Sequence, residues 1–171
     1  VLDTAKTLPA DALIFDLEDA VAPEDKFDAR NLVCKMVQRG YGARKRLIRI
    51  NGLDTEWGEA DLEAAIAAAP DGILIPKVNG PEELQAIAQR LKGATKLWAM
   101  METPLGILNA KEIAASTPVL EGFVMGTNDL VKELFASHTP DRAPVMTSLS
   151  LCLLAARAHG LICVDGVYNA F

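Results

Sequence analysis

Six short apolar runs, with stretches of helical spacing between them, leave this chain few folds to choose from. The runs lie at residues 12–17, 47–50, 72–76, 96–101, 122–125 and 161–164, and the helical stretches at 25–38, 59–69, 81–91, 104–115, 128–135 and 145–159. Strand then helix, repeated throughout, requires parallel strands, because each helix carries the chain back to begin the next strand in the same direction. Runs such as ALIF and GILI lack polar alternation, which predicts strands buried on both faces. Local punctuation agrees with this division. Pro81 follows Asn79-Gly80 and precedes Glu82 and Glu83, a helix start, and Gly93 is placed to stop that helix. Residues 137–144, SHTPDRAP, are polar, contain proline and show no apolar period, so they read as an exposed loop over the mouth of the fold.

Composition narrows the functional classes. A chain of 171 residues, half of them apolar, can bury the core of one domain. A net charge of −6 argues against a nucleic-acid partner, which needs a basic stripe to displace counterions. No run of membrane-spanning length occurs, and the first residues lack the basic-then-apolar order of a signal peptide, so a soluble cytoplasmic protein without a membrane partner is expected. Cys34, Cys152 and Cys163 are odd in number and scattered, which points to buried free thiols.

The chemistry-bearing residues follow the apolar runs: Glu18 and Asp19, Arg49 and Asn51, Lys77, Glu102, Asp129, and Asp165. Their separations of about 25–36 residues fit one βα unit each. Charges at the carboxyl ends of successive parallel strands converge on one face, which is where (β/α)₈ TIM barrels build active sites. A doubly wound sheet would concentrate function at one switch point, so the pattern favours a barrel. A charge at any single strand end could simply mark the return to solvent; six in succession weigh against that.

Glu102 closes the run in LWAMMETPLG and is followed by a Thr-Pro pair that starts the next helix, which fixes a carboxylate at the rim. Asp129 follows the Gly126-Thr127-Asn128 turn, whose backbone N–H groups would open toward an anion; an ordinary helix cap is the competing explanation. Two carboxylates without histidine or cysteine nearby are hard oxygen ligands suited to Mg²⁺. Arg49, in LIRIN, presents a fork for a carboxylate or phosphate, or else a salt bridge to Glu18 or Asp19. Lys77 is a second cation, for substrate or for a neighbouring acid. His138 and His159 are read as bystanders. No G-x-S-x-G elbow, Walker A loop or strand-linked G-x-G-x-x-G is present.

The ordered segments ADALIFDLEDAVAPEDK, LIRINGLDTEWGEADL, GILIPKV, METPLGILNA, GTNDL and CLLAARAHGLICVDGVYNAF resemble the citrate lyase beta subunit-like group of the HpcH/HpaI aldolase superfamily across essentially the whole chain. The resemblance implies a (β/α)₈ barrel of which this single partial domain, residues 1–171, supplies about six units, the first and last strands of relatives having no counterpart here. It implies an Mg²⁺-dependent carbon–carbon lyase acting on a 3-hydroxy-acyl-CoA, as in citryl-CoA cleavage to acetyl-CoA and oxaloacetate. Malyl-CoA or citramalyl-CoA lyase, or a non-catalytic metal- and oxaloacetate-binding barrel, are the alternatives. By the same resemblance Glu102 and Asp129 hold the metal. Arg49, Glu18 and Asp19 carry catalysis, and Arg49, Glu102, Lys77, Gly126, Thr127 and Asn128 bind substrate. Acyl-CoA and oxo-acid ligands, a homotrimer or homohexamer, and membership of a citrate lyase complex are implied as partners. A catalytic acid that relatives take from a neighbouring subunit is not supplied by these residues.

Overall fold

A computed structural model describes residues 3–167. The end of the last family motif, residues 168–171, lies outside the described residues. The chain divides into two compact units, residues 1–75 with 91–96, and residues 76–90 with 97–171.

In the first unit, β1 (Ala12–Asp16), β2 (Lys45–Arg49) and β3 (Gly72–Ile75) are joined by α1 (Lys26–Gln38) and α2 (Gly58–Ala68). β1 runs parallel to β2 with Asp16 opposite Arg49, and β2 runs parallel to β3 with Leu47 opposite Gly72. The two helices pack on each other, and Leu47, Ile48, Ile50, Leu62 and Ile73 are fully buried. Removing such side chains from water is the main favourable term in folding this unit, at about 1.5–3 kcal/mol each. GILI is buried at every position, as its uninterrupted apolar run predicts, but ALIF is not: Ala12 and Ile14 are exposed while Leu13 and Phe15 are buried. One face of β1 has no covering layer among the described residues, so an apolar run there alternates despite its composition.

The second unit holds all of β4 (Lys96–Met101) except Lys96, together with β5 (Leu120–Met125) and β6 (Ile162–Val164). Its helices are α3 (Pro81–Ala88), α4 (Pro104–Leu108), α5 (Ala110–Ala114), α6 (Thr127–Glu133) and α7 (Ala143–Ala158). β4 and β5 are parallel with Met101 opposite Met125, and β5 and β6 are parallel with Gly122 opposite Ile162. Phe123 is fully buried at the centre of this unit.

Several boundaries differ from the sequence pattern: α7 begins at Ala143, inside the stretch read as a loop, and β2 and β5 begin two residues early. The helix expected over 104–115 is two helices broken at Asn109, whose side-chain amide donates 2.8 Å to the Asn79 carbonyl instead of lying along a helix face. The helix begun by Pro81 ends at Ala88, before Gly93, which sits with φ +74° further along the connection. A 3₁₀ turn at Thr4–Thr7 has no signal in the pattern. Of the three thiols, all free, only Cys152 is fully buried. Burial first, with the nearby Cys163 second, pushes the Cys152 thiol up to about 12. No described helix is long and apolar enough to cross a membrane.

Candidate active site

The first unit gathers an ionic cluster at the carboxyl ends of β1 and β2. The Arg49 guanidinium grips Asp16 with two hydrogen bonds of 2.7 and 2.5 Å, and lies 3.0 Å from Glu18 and 3.5 Å from Asp19. The parallel register sets this up, because Asp16 and Arg49 are partners across the ladder. Asp16 also accepts the backbone N–H groups of Glu18 at 2.9 Å and Ala20 at 3.0 Å, folding the DLEDA turn around its carboxylate. Burial raises the Asp16 pKa, but the Arg49 hydrogen bonds and charge outweigh it and hold the carboxyl below its ordinary value. Desolvation likewise works against the Arg49 charge, yet Asp16, Glu18 and Asp19 more than compensate and raise its pKa. Arg49 therefore makes the salt bridge to Glu18 and Asp19 that its sequence position allows, and above all one to Asp16, which the sequence pattern does not single out. Asp16 is the last residue inside β1, and only the register shows that it faces Arg49.

A second network, also not read in the sequence, braces this cluster. Lys26, 6% exposed, directs its ammonium to the carbonyls of Leu17 at 2.7 Å and Glu18 at 2.6 Å and to the Asn51 side-chain oxygen at 2.8 Å. Asn51 donates to Asp61 and to the Leu17 carbonyl, and Arg30 closes the network on Asp61 at 2.5 Å.

The second unit gathers the carboxylate side. Glu102, the residue after β4, is 1% exposed, and its Oε1 accepts the Lys77 backbone N–H at 2.8 Å. Thr103 caps α4 by accepting the Gly106 N–H at 3.0 Å, and its hydroxyl donates 2.6 Å to Asn79. Gly126 packs directly on Glu102: a Cβ there would collide with the Glu102 side chain, so only glycine leaves room for this carboxylate. The Gly126 N–H donates to the Met101 carbonyl at 3.1 Å, and Gly126 is the cap position of α6. Asp129 is therefore not the cap; it lies in the first turn of α6, half-buried. Thr127 is buried against Gly166, Asn128 is exposed, and Lys77 lies on the surface. Asp165 is held by Arg142 in a pair of 2.7 Å hydrogen bonds and by the Gly166 N–H, which keep its carboxyl below the ordinary range. A cavity of about 460 Å³ opens beside these residues, bounded by Thr127, His138, Arg142, Val145 and Val167. His138 thus borders a cavity, whereas His159 is an exposed residue at the end of α7.

The donor set of the second unit suits a hard cation. Among the described residues no three His, Cys, Asp or Glu side chains form a metal-binding group, so a metal held through Glu102 and Asp129 would take its other ligands from water and substrate, the habit of Mg²⁺.

A buried acid at the end of one parallel strand, packed by a glycine at the end of the next, marks a candidate carboxylate-centred α/β site, and comparison with known proteins gives the chain's lineage. All of residues 1–171 match the model of HpcH/HpaI aldolase/citrate lyase, and the protein belongs to that family. The chain is 57% identical over 171 residues to a (3S)-malyl-CoA thioesterase of Cereibacter sphaeroides, covering 99% of this chain and 59% of the relative. It is 36% identical over 172 residues to citrate lyase subunit beta of Escherichia coli, covering 94% of this chain and 57% of the relative. The chain thus spans less than two thirds of the length of these curated relatives. Among solved structures it superposes on the citrate lyase beta subunit of Mycobacterium tuberculosis complexed with oxaloacetate and magnesium, with a TM-score of 0.80 and 31% identity over 98% of this chain and 71% of that one. The same bacterium's CitE protein in complex with magnesium, acetoacetate and coenzyme A matches with a TM-score of 0.79 and 30% identity over 99% of this chain and 60% of that one.

Proposed function

We propose that the protein containing this chain is an Mg²⁺-dependent enzyme of short hydroxy-dicarboxylic acyl-CoA thioesters, with malyl-CoA as the first substrate to test. The observation that carries the reading is Glu102: a carboxylate buried at a strand end, fixed through Oε1 by a backbone amide and given its space by Gly126. In this reading Glu102 and Asp129 hold the cation, and Gly126, Thr127 and Asn128 shape the wall of its pocket. A bound divalent cation would supply positive charge to the oxyanion that develops as a thioester or an α-hydroxy acid reacts. Arg49 is assigned the substrate carboxylate, which its planar fork can bind through two hydrogen bonds. Glu18 and Asp19 orient that guanidinium, and Lys77 adds a surface cation. The six strands and the helices between them would supply part of an eight-unit barrel, with an oligomer of the kind the family resemblance implies.

Two reactions are open to such a site. Hydrolysis adds water across the thioester and yields malate and free CoA. Carbon–carbon cleavage removes the hydroxyl proton, breaks the bond to the thioester α-carbon and returns a proton to that carbon, yielding glyoxylate and acetyl-CoA. The malyl-CoA thioesterase at 57% identity favours the first, and the citrate lyase subunit at 36% identity supports the second, with citryl-CoA as its substrate. Malyl-CoA and citryl-CoA are each supplied to the full-length protein with and without Mg²⁺, and thiol, acetyl-CoA and keto acid are quantified. Mg²⁺-dependent thiol release without glyoxylate identifies a hydrolase, and stoichiometric acetyl-CoA and keto acid identify a lyase. Turnover unchanged by chelator and by Glu102→Gln refutes the metal assignment.

A further inference from the structure

Four non-glycine residues among those described have a left-handed backbone: Ala69, Lys77, Phe135 and Arg142. Ala69 ends α2, Phe135 follows the end of α6 and Arg142 precedes the first residue of α7, positions where the chain must change direction at a helix terminus. Lys77 stands apart. It lies two residues past β3 and four before α3, at φ +50°, a conformation that crowds any residue bearing a Cβ. Strained backbone persists only where its surroundings enforce it, and it gathers at functional sites.

The consequence of that conformation is visible in one hydrogen bond, from the Lys77 amide to Glu102 Oε1 at 2.8 Å. The turn is pinned from the other side by the segment that carries Glu102. Thr103 donates to the Asn79 side chain, Asn109 donates to the Asn79 carbonyl, and Gly106 packs without a side chain on the Val78 carbonyl. A backbone N–H cannot rotate away as a side chain can, so it fixes the plane of a carboxylate that is almost wholly buried. The sequence assigns Lys77 a role through its ammonium; the structure assigns it one through its amide.

We propose that Lys77 is a positioning residue whose left-handed backbone aims its N–H at Glu102 and so sets that carboxylate for a divalent cation, independently of the lysine charge. This rests on the reading of Glu102 and Asp129 as the cation pair. Glycine at 77 keeps the amide and tolerates the conformation, methionine keeps an unbranched Cβ without the charge, and valine puts a branched Cβ where even an unbranched one is crowded.

The test is calorimetric Mg²⁺ affinity of the full-length protein. Lys77→Gly and Lys77→Met are expected to stay within about threefold of the parent, while Lys77→Val weakens binding by about 10–100-fold, the usual effect of losing a group that orients a ligand. Hydrogen exchange provides a second measurement that does not depend on the valine variant folding: the Lys77 amide is slow to exchange in the parent and fast in Glu102→Ala. Equal affinity in Lys77→Val and the parent overturns the proposal, as does a Lys77→Met loss matching Lys77→Val or an amide equally slow in Glu102→Ala. Parent-like Mg²⁺ binding by Glu102→Gln and Asp129→Asn instead overturns the cation-pair reading itself.

Discussion

Lys26→Met tests whether the braced ends of β1 and β2 depend on a buried charge. The ammonium has three N–H groups and three acceptors within 2.8 Å, and it lies 5.3 Å from the Trp57 ring centroid. Methionine fills similar length but leaves the carbonyls of Leu17 and Glu18 and the Asn51 oxygen without this donor. Each abandoned buried acceptor costs about 1–3 kcal/mol. Against that, the variant no longer has to desolvate an ammonium, a penalty of several kcal/mol in a folded protein. A sulfur–aromatic contact with Trp57 returns about 0.3–1.5 kcal/mol. The net expectation is destabilisation by about 2–4 kcal/mol, which lowers the urea midpoint by about 1 M or more at an ordinary slope. Urea unfolding followed by tryptophan fluorescence reads the effect, since Trp57 sits over the group being changed. An unchanged or higher midpoint refutes the reasoning, because desolvation would then outweigh all three hydrogen bonds.

Two further outcomes follow from the site. Gly126→Ala forces a Cβ into the Glu102 side chain, so Mg²⁺ affinity falls by about tenfold or more while overpacking costs about 1–3 kcal/mol of stability; affinity equal to the parent removes Gly126 from the site. Asp16 has a folded pKa below its ordinary value of 3.8, so its contribution to stability is fully present above that value and is lost as pH falls through the lower, folded value. Thermal midpoints measured below pH 4 should therefore fall less steeply in Asp16→Asn than in the parent, and identical acid slopes refute the assignment.

The period of the sequence carried most of the fold because strand and helix have different apolar repeats, and six alternations leave little room for error in element type. The breaks it missed are made by single side chains finding tertiary partners: Asn109 turning to Asn79 splits one helix, and no local pattern records that partner. Among the candidate residues, the place of Glu102 at a strand end was legible because an acid directly follows an apolar run, and the place of Asp129 near a helix start because GTN precedes it. Asp16 was not legible, since its carboxylate sits inside the strand and gains meaning only from the parallel register that puts Arg49 opposite. Lys26 reads as the solvated face of a helix until the fold buries it against two strand ends.

The Arg49 cluster shows why register matters for its chemistry. One guanidinium meets three carboxylates, so a further carboxylate cannot simply be added; it has to replace a partner or face like charge. The three partners are not equivalent. Asp16 is bidentate, largely buried and engaged by two backbone amides as well, so displacing it would unfold the turn that follows β1. Glu18 is buried at 3.0 Å, whereas Asp19 is 61% exposed and 3.5 Å away on the same guanidinium nitrogen. Asp19 is the contact that gives way at least cost, since an exposed pair at that distance is worth about 1 kcal/mol or less. A carboxylate approaching Arg49 would thus take the place of Asp19, while Asp16 and Glu18 keep the guanidinium aimed.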